Sequence, residues 1–165
     1  MANQEHVTQI KKGVEEWNKW REVNPGVKPD LAWANLVGTD LSGVNLEGAN
    51  MKLAFCKGSI LNGAKLRGAI LFGTNFEGAT LEDANLEGAT LEGAHLIKAD
   101  LTRANLRGVN LKLANLQEAI LEDADLLGCM KLTPEQLSTV KTLHNAKLDP
   151  LLLEFISDKH PELFR

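Results

Sequence analysis

The sequence predicts a solenoid: a stack of five-residue units running from about Leu31 to Cys129, with helical segments before and after it. Three observations predict it. Leucine recurs at every fifth residue, beginning Leu31, Leu36, Leu41, Leu46, and of the 20 centres up to Leu126 only Met51, Cys56 and Phe76 are not leucine. Of the 14 glycines, 12 fall two positions after a centre, leaving out only Gly13 and Gly26. Apolar residues make up 44% of the chain but aromatics only 5%, with no tyrosine.

Each observation has a physical consequence. A period of five fits neither the helix repeat of about 3.6 nor the strand repeat of about 2. A unit this short cannot bury its own leucine, so neighbouring units must stack and share a core. Two residues before each centre the side chain is small, as at Ala34, Thr39, Val44, Ala49 and Ser59, which lets the chain pass close to the axis. Glycine two residues after the centre suits a corner, because it accepts backbone angles that other residues resist. Without large rings, the core must be filled by small and medium side chains.

The undiluted units Ala84-Asn85-Leu86-Glu87-Gly88 and Ala104-Asn105-Leu106-Arg107-Gly108 resemble the pentapeptide-repeat proteins. That resemblance implies an all-β solenoid, a right-handed quadrilateral β-helix with four pentapeptides per coil. Twenty units then make about five coils, roughly 24 Å long at the ~4.8 Å spacing of neighbouring strands. A four-unit coil stacks residues 20 apart, and the charges agree. Glu47, Arg67, Glu87 and Arg107 alternate in sign in one column, and Asp83, Arg103 and Asp123 in another. Lys57 with Glu77, Glu92 with Lys112 and Lys98 with Glu118 are further opposite pairs at this spacing. A three-unit coil would instead set Glu77 on Glu92, so cross-strand pairing favours four. The −2 and central residues should point inward, and −1, +1 and +2 outward. Cys56 and Cys129 then lie more than three coils apart, roughly 17 Å, beyond the ~7 Å reach of a disulfide.

The exposed ends of a solenoid need cover. In the lead-in, residues 1–30, Val7, Ile10, Val14 and Trp17 follow helical spacing between about Glu5 and Glu22, before Asn24-Pro25-Gly26 breaks the helix. In the tail, residues 131–165, Thr133-Pro134-Glu135-Gln136 predicts a helix start with an N-cap and a proline at its first position, running to about Leu143. Asp149-Pro150 starts a second helix that stops before Pro161. The three segments, 1–30, 31–130 and 131–165, read as N-terminal helical cap, repeat array and C-terminal capping helices.

Catalysis is not expected. His6, His95, His144 and His160 fall in separate segments, and Ser59 and Cys56 should face the apolar interior with no base in reach. A core of leucine and alanine leaves no cleft, and the glycines are corner residues rather than phosphate loops. No cofactor or metal is expected. A formal net charge of −4 argues against general attraction to nucleic acid or anionic lipid. No run of about 20 apolar residues occurs, so no helical membrane span is expected; the first residues lack the apolar stretch of a secretory signal, so the expected compartment is the cytoplasm.

What remains is binding, and the expected role is a non-catalytic rigid scaffold or protein-protein interaction module, monomeric or homodimeric, with an unnamed protein or a second copy as partner. Arrays of this kind resemble those common in cyanobacteria and other bacteria. Trp33, Leu53, Ile70 and Phe72 should share one face of the first three coils, with Phe55 round the corner. Outward aromatics in a ring-poor protein mark an interface, unless the N-terminal helix folds back and covers them with Trp17 and Trp20. The alternative function, implied by some members of the family, is binding of a topoisomerase such as gyrase by imitating DNA. Twelve acids against eight bases leave −4 over the array, whereas DNA of that length carries roughly 14 negative charges.

Overall fold

The computed structural model describes residues 2–165. From Asp30 to Asn110, each residue before a centre pairs in parallel with the residue 20 positions later: Asp30 with Asn50, Asn35 with Phe55, Asp40 with Ile60, Asn45 with Lys65. Four ladders therefore rise side by side, and one circuit of the chain takes four units. Each ladder contact involves one residue per unit, so no extended strand forms.

The backbone of one unit shows why the motif reads as it does. The Leu66 N–H donates to the Asn85 carbonyl at 2.7 Å and the Gly68 N–H to the Glu87 carbonyl at 2.9 Å, both in the next coil. Ala69 N–H closes a turn onto the Leu66 carbonyl at 3.0 Å, and Lys65 N–H reaches back to the Val44 carbonyl of the preceding coil at 2.9 Å. That leaves the +1 amide, and the asparagine or aspartate at −1 takes it: Glu87 N–H donates to Asn85 Oδ1 at 3.0 Å and Arg107 N–H to Asn105 Oδ1 at 3.1 Å. Asparagine recurs at −1 because its side chain satisfies a corner donor that the ladders cannot. The +2 residue is left-handed in all 20 units, with φ of 61–69° at the 12 glycines and 56–65° at Trp33, Leu53, Asp83, Lys98, Arg103, Leu113, Glu118 and Asp123.

Inside, every centre from Leu31 to Leu126 is buried, together with the −2 alanines, and Phe76, the one ring among the centres, has no exposed surface. The two buried −2 hydroxyls are paired: Ser59 Oγ donates to the Cys56 carbonyl at 2.7 Å and Thr74 Oγ1 to the Met51 carbonyl at 2.8 Å.

The ends depart from expectation in three places. First, the lead-in is two helices, α1 (Gln4–Ile10) and α2 (Val14–Val23), because Gly13 at φ 110° turns the chain between them. The expected stripe survives the break: Ile10 and Trp17 are buried and Val7 and Val14 pack against the core. Second, α3 (Pro134–Leu137) is one turn and does not reach Leu143. Its Thr133–Gln136 capping box is present, and Gln136 Nε2 donates to the Leu111 and Ala114 carbonyls, both at 2.8 Å. Third, the ladders run past 130: Ile120 pairs with Thr142 and Asp125 with Lys147, an offset of 22 rather than 20. Leu143 and Leu148 are buried like centres, and Asn145 takes the left-handed +2 conformation at φ 55°. α4 (Pro150–Lys159) follows and stops before Pro161, as expected. A 3₁₀ turn, Pro161–Phe164, brings Leu163 back to accept from the Leu143 N–H at 2.6 Å.

Candidate interaction surface

Where a −1, +1 or +2 side chain neither caps a corner amide nor enters the core, what it carries is free to serve another purpose. Over the first three coils they carry rings. Trp33 is 54% exposed, Phe55 45%, Phe72 42% and Ile70 38%, all on or beside the ladder that links Asp30, Asn50 and Ile70. Leu53 is half-buried because its side chain lies across Gly73 of the next coil; a Cβ at Gly73 would stand 2.6 Å from Leu53 Cδ2. Trp33 and Leu53 hold left-handed backbones that glycine would adopt without strain.

The covering helix goes elsewhere. Trp17 is fully buried and its Nε1–H donates to the Asn45 carbonyl at 2.8 Å, on a different ladder. Trp20 packs against Trp17 and His6, with ring centroids 5.1 and 5.2 Å apart. Asn18 bonds the Asn45 N–H at 2.8 Å and the Gly43 carbonyl at 3.1 Å, and Arg21 reaches the Glu47 carbonyl at 3.1 Å. α2 is thus spent on the end of the stack, and of the two alternatives the sequence left open, closure of Trp17 and Trp20 over the outward rings does not occur.

Charge pairs stack from the second coil onward, and the last two coils carry them without outward rings. Arg103 Nε meets Asp83 at 2.8 Å, Lys57 meets Glu77 at 2.8 Å, Lys112 meets Glu92 at 2.9 Å and Lys98 meets Glu118 at 3.7 Å, all 20 apart. The hydrogen bonds from Arg103, Lys57 and Lys112 hold Asp83, Glu77 and Glu92 below the ordinary carboxylate range. The two expected alternating columns form as separate pairs. Arg67 meets Glu87 at 3.8 Å, but Arg107 turns to Asp125 at 3.1 Å, and Arg103 shares itself with Glu82 at 3.2 Å rather than Asp123. Among the described residues neither Glu47 nor Asp123 has an ion-pair partner.

Little else could carry chemistry. Burial pushes the Cys56 and Cys129 thiols up to about 12, so neither is a thiolate at neutral pH, and both are free. His95 stands exposed on its ladder. Among the described residues no group of three or more His, Cys, Asp or Glu side chains is placed to hold a metal ion, and no helix is long and apolar enough to cross a membrane.

Stacked units with parallel ladders and a shared leucine core define a repeat solenoid. The pentapeptide-repeat family matches in eight copies, over residues 30–68, 56–88 and 69–108. A pentapeptide repeat protein from Nostoc PCC 7120 is 34% identical, covering 67% of this chain and 84% of its own, with a TM-score of 0.52. Another, from the Arabidopsis thaliana thylakoid lumen, is 25% identical over 75% of this chain and 74% of its own, with a TM-score of 0.48. No curated protein matches in sequence. The chain belongs to the pentapeptide-repeat family, and its fold is a right-handed β-helix solenoid.

Two features of the surface were not expected from sequence: the destination of α2 and the extra units at Leu143 and Leu148. The second left a signal, since Ala146-Lys147-Leu148 keeps the small–polar–leucine order of the array.

Proposed function

We propose that the protein is a non-catalytic, rigid protein-interaction module: a four-sided β-helix of five coils, closed by helices, that presents Trp33, Leu53, Phe55, Ile70 and Phe72 to a partner protein. One observation carries this reading. The rings lie outward on neighbouring columns of the first three coils, while Trp17 is bonded to the Asn45 ladder and Trp20 packs against Trp17 and His6. Contiguous exposed apolar surface of this kind marks an interface in a soluble repeat protein. The face fits a second copy or another protein equally in its chemistry, and the test separates them.

Size-exclusion chromatography with light scattering, on wild type and Phe72→Ser, supplies that test. A wild-type dimer that becomes a monomer on substitution identifies a second copy as the partner. A wild-type monomer that captures a cell protein, lost on substitution with an unchanged melting temperature, identifies a foreign one. Assembly or capture unaffected by Phe72→Ser refutes the face. The alternative, imitation of DNA toward a topoisomerase, gains no specific observation, because cations interrupt the acidic columns and pair with them.

A further inference from the structure

In the regular array each unit offers three groups to the preceding coil: the −1 N–H and the carbonyls of −1 and +1. In the first coil no preceding coil exists, and the four ladders solve this differently. On the Asn45 ladder α2 takes all three, through Asn18 Oδ1, Trp17 Nε1 and Arg21. On the Asp30 ladder His6 Nδ1 accepts from the Asp30 N–H at 3.0 Å and the Asn3 N–H donates to the Asp30 carbonyl at 3.1 Å. On the remaining two ladders nothing takes them. Among the described residues the N–H and carbonyl of Asn35, the carbonyl of Val37, the N–H and carbonyl of Asp40 and the carbonyl of Ser42 have no protein partner.

We propose that this open edge, from Asn35 to Ser42, receives a basic segment of a partner protein that bends at its corner as the array's own units do, as one further turn of the ladder. The unpaired groups recur at the five-residue spacing that pairs one coil with the next, and a segment in that conformation supplies complementary donors and acceptors. Charge selects the occupant. Residues 30–50 hold Asp30, Asp40 and Glu47 and no Lys, Arg or His. The edge itself offers four carbonyls against two N–H groups. Asp40 is exposed at its centre, and two hydrogen bonds from Ser42, at 2.6 and 3.0 Å, hold its carboxyl below the ordinary carboxylate range. At several places in this fold a charge is matched by the side chain stacked one coil away, as Lys57 is by Glu77 and Glu92 by Lys112. A lysine or arginine of the added segment would stack on Asp40 in the same way. Leu36 and Leu41 are already covered, so the segment's inward side chains must be small. A second copy is disfavoured, because α1 and α2 project over the neighbouring ladders of the same end.

The test uses the full chain and a fluorescein-labelled peptide made of Ala-Lys-Ala-Ser-Gly repeated twice, with lysine in the −1 slots. The expected result is saturable anisotropy, with amide exchange at Asn35 and Asp40 slowed while that at Asn45 is unchanged. Asp40→Lys should weaken binding about ten-fold and favour a version with glutamate in place of lysine. Three results overturn the proposal: no binding up to about 1 mM peptide, equal binding of a peptide N-methylated at its ladder amides, or protection of Asn35 and Asp40 that rises with protein concentration alone. The last would mean that a second copy fills the edge. Phe72→Ser should leave peptide binding unchanged, so failure here and failure of the aromatic face are separate outcomes.

Discussion

The first three coils and the last two are built on one backbone and dressed in two ways. Their ladder bonds are the same length within a few tenths of an ångström: 2.8 Å for Met51 N–H to Ile70 and 2.8 Å for Leu101 N–H to Ile120. Their centres are equally buried. Outward, the early coils present Trp33, Phe55, Ile70 and Phe72, whereas the late ones present the pairs of Arg103, Lys112 and Lys98 with their acids. Identical cores under different surfaces mean that the outward positions are not fixed by folding. An exposed ring there adds nothing to the buried core, and an exposed ion pair contributes little, at most about 1 kcal/mol.

Substitutions can break this comparison in order of size. Trp17→Ala removes the ring that plugs the end of the core and leaves the Asn45 carbonyl without its donor. It should cost about 3–5 kcal/mol and expose an aggregation-prone end, seen as a large drop in melting temperature. Leu106→Ala and Leu46→Ala, one from each region and both buried, should each cost about 2–5 kcal/mol. If denaturant melts gave clearly different losses, the cores would not be equivalent. Gly73→Ala must adopt a left-handed backbone and displace Leu53, a cost of at least about 1–2 kcal/mol, whereas Gly88, with open space around it, should show the backbone cost alone. Leu113→Gly relieves the same strain at an exposed corner and should stabilise by about 0.5–1 kcal/mol.

The smallest effect concerns pH and belongs to the charged half. Asp83, Glu77 and Glu92 have folded pKa values below their unfolded ones, so their stabilisation is present above the ordinary carboxylate range. It is lost as pH falls through the depressed folded values. Melting temperature should therefore decline slightly below about pH 4, and Asp83→Asn should flatten part of that decline. Added salt should weaken the effect, since all these groups are exposed.

Much of this was legible because the period itself is a structural rule. Leucine every fifth residue gave the core, and glycine at +2 marked the left-handed corner, which the eight non-glycine corners adopt as well. Charges 20 apart gave the coil length. What escaped depends on contacts that no period encodes. Trp17 follows a helical stripe whether it covers the Asn45 edge or the outward rings, and only three-dimensional packing decides. Gly13, read as an ordinary helix residue, breaks the lead-in because its φ is 110°. The units at Leu143 and Leu148 were hidden by two extra residues and by Lys141 and Pro150 standing where alanine and glycine are usual. Arg107 pairs with Asp125, 18 residues away, and not with Glu87 of its own column, which Arg67 meets, because a long flexible side chain can reach more than one neighbour.

The comparison of the two regions is tested most directly by making one surface substitution in each, Phe72→Ser and Arg103→Ser, and following assembly by chromatography with light scattering and partner capture. Both proteins should melt within about 0.5 kcal/mol of wild type. The expected result is that only Phe72→Ser loses self-association or partner capture. If both variants keep it, or if Arg103→Ser alone loses it, the aromatic face of the first three coils is not the binding surface.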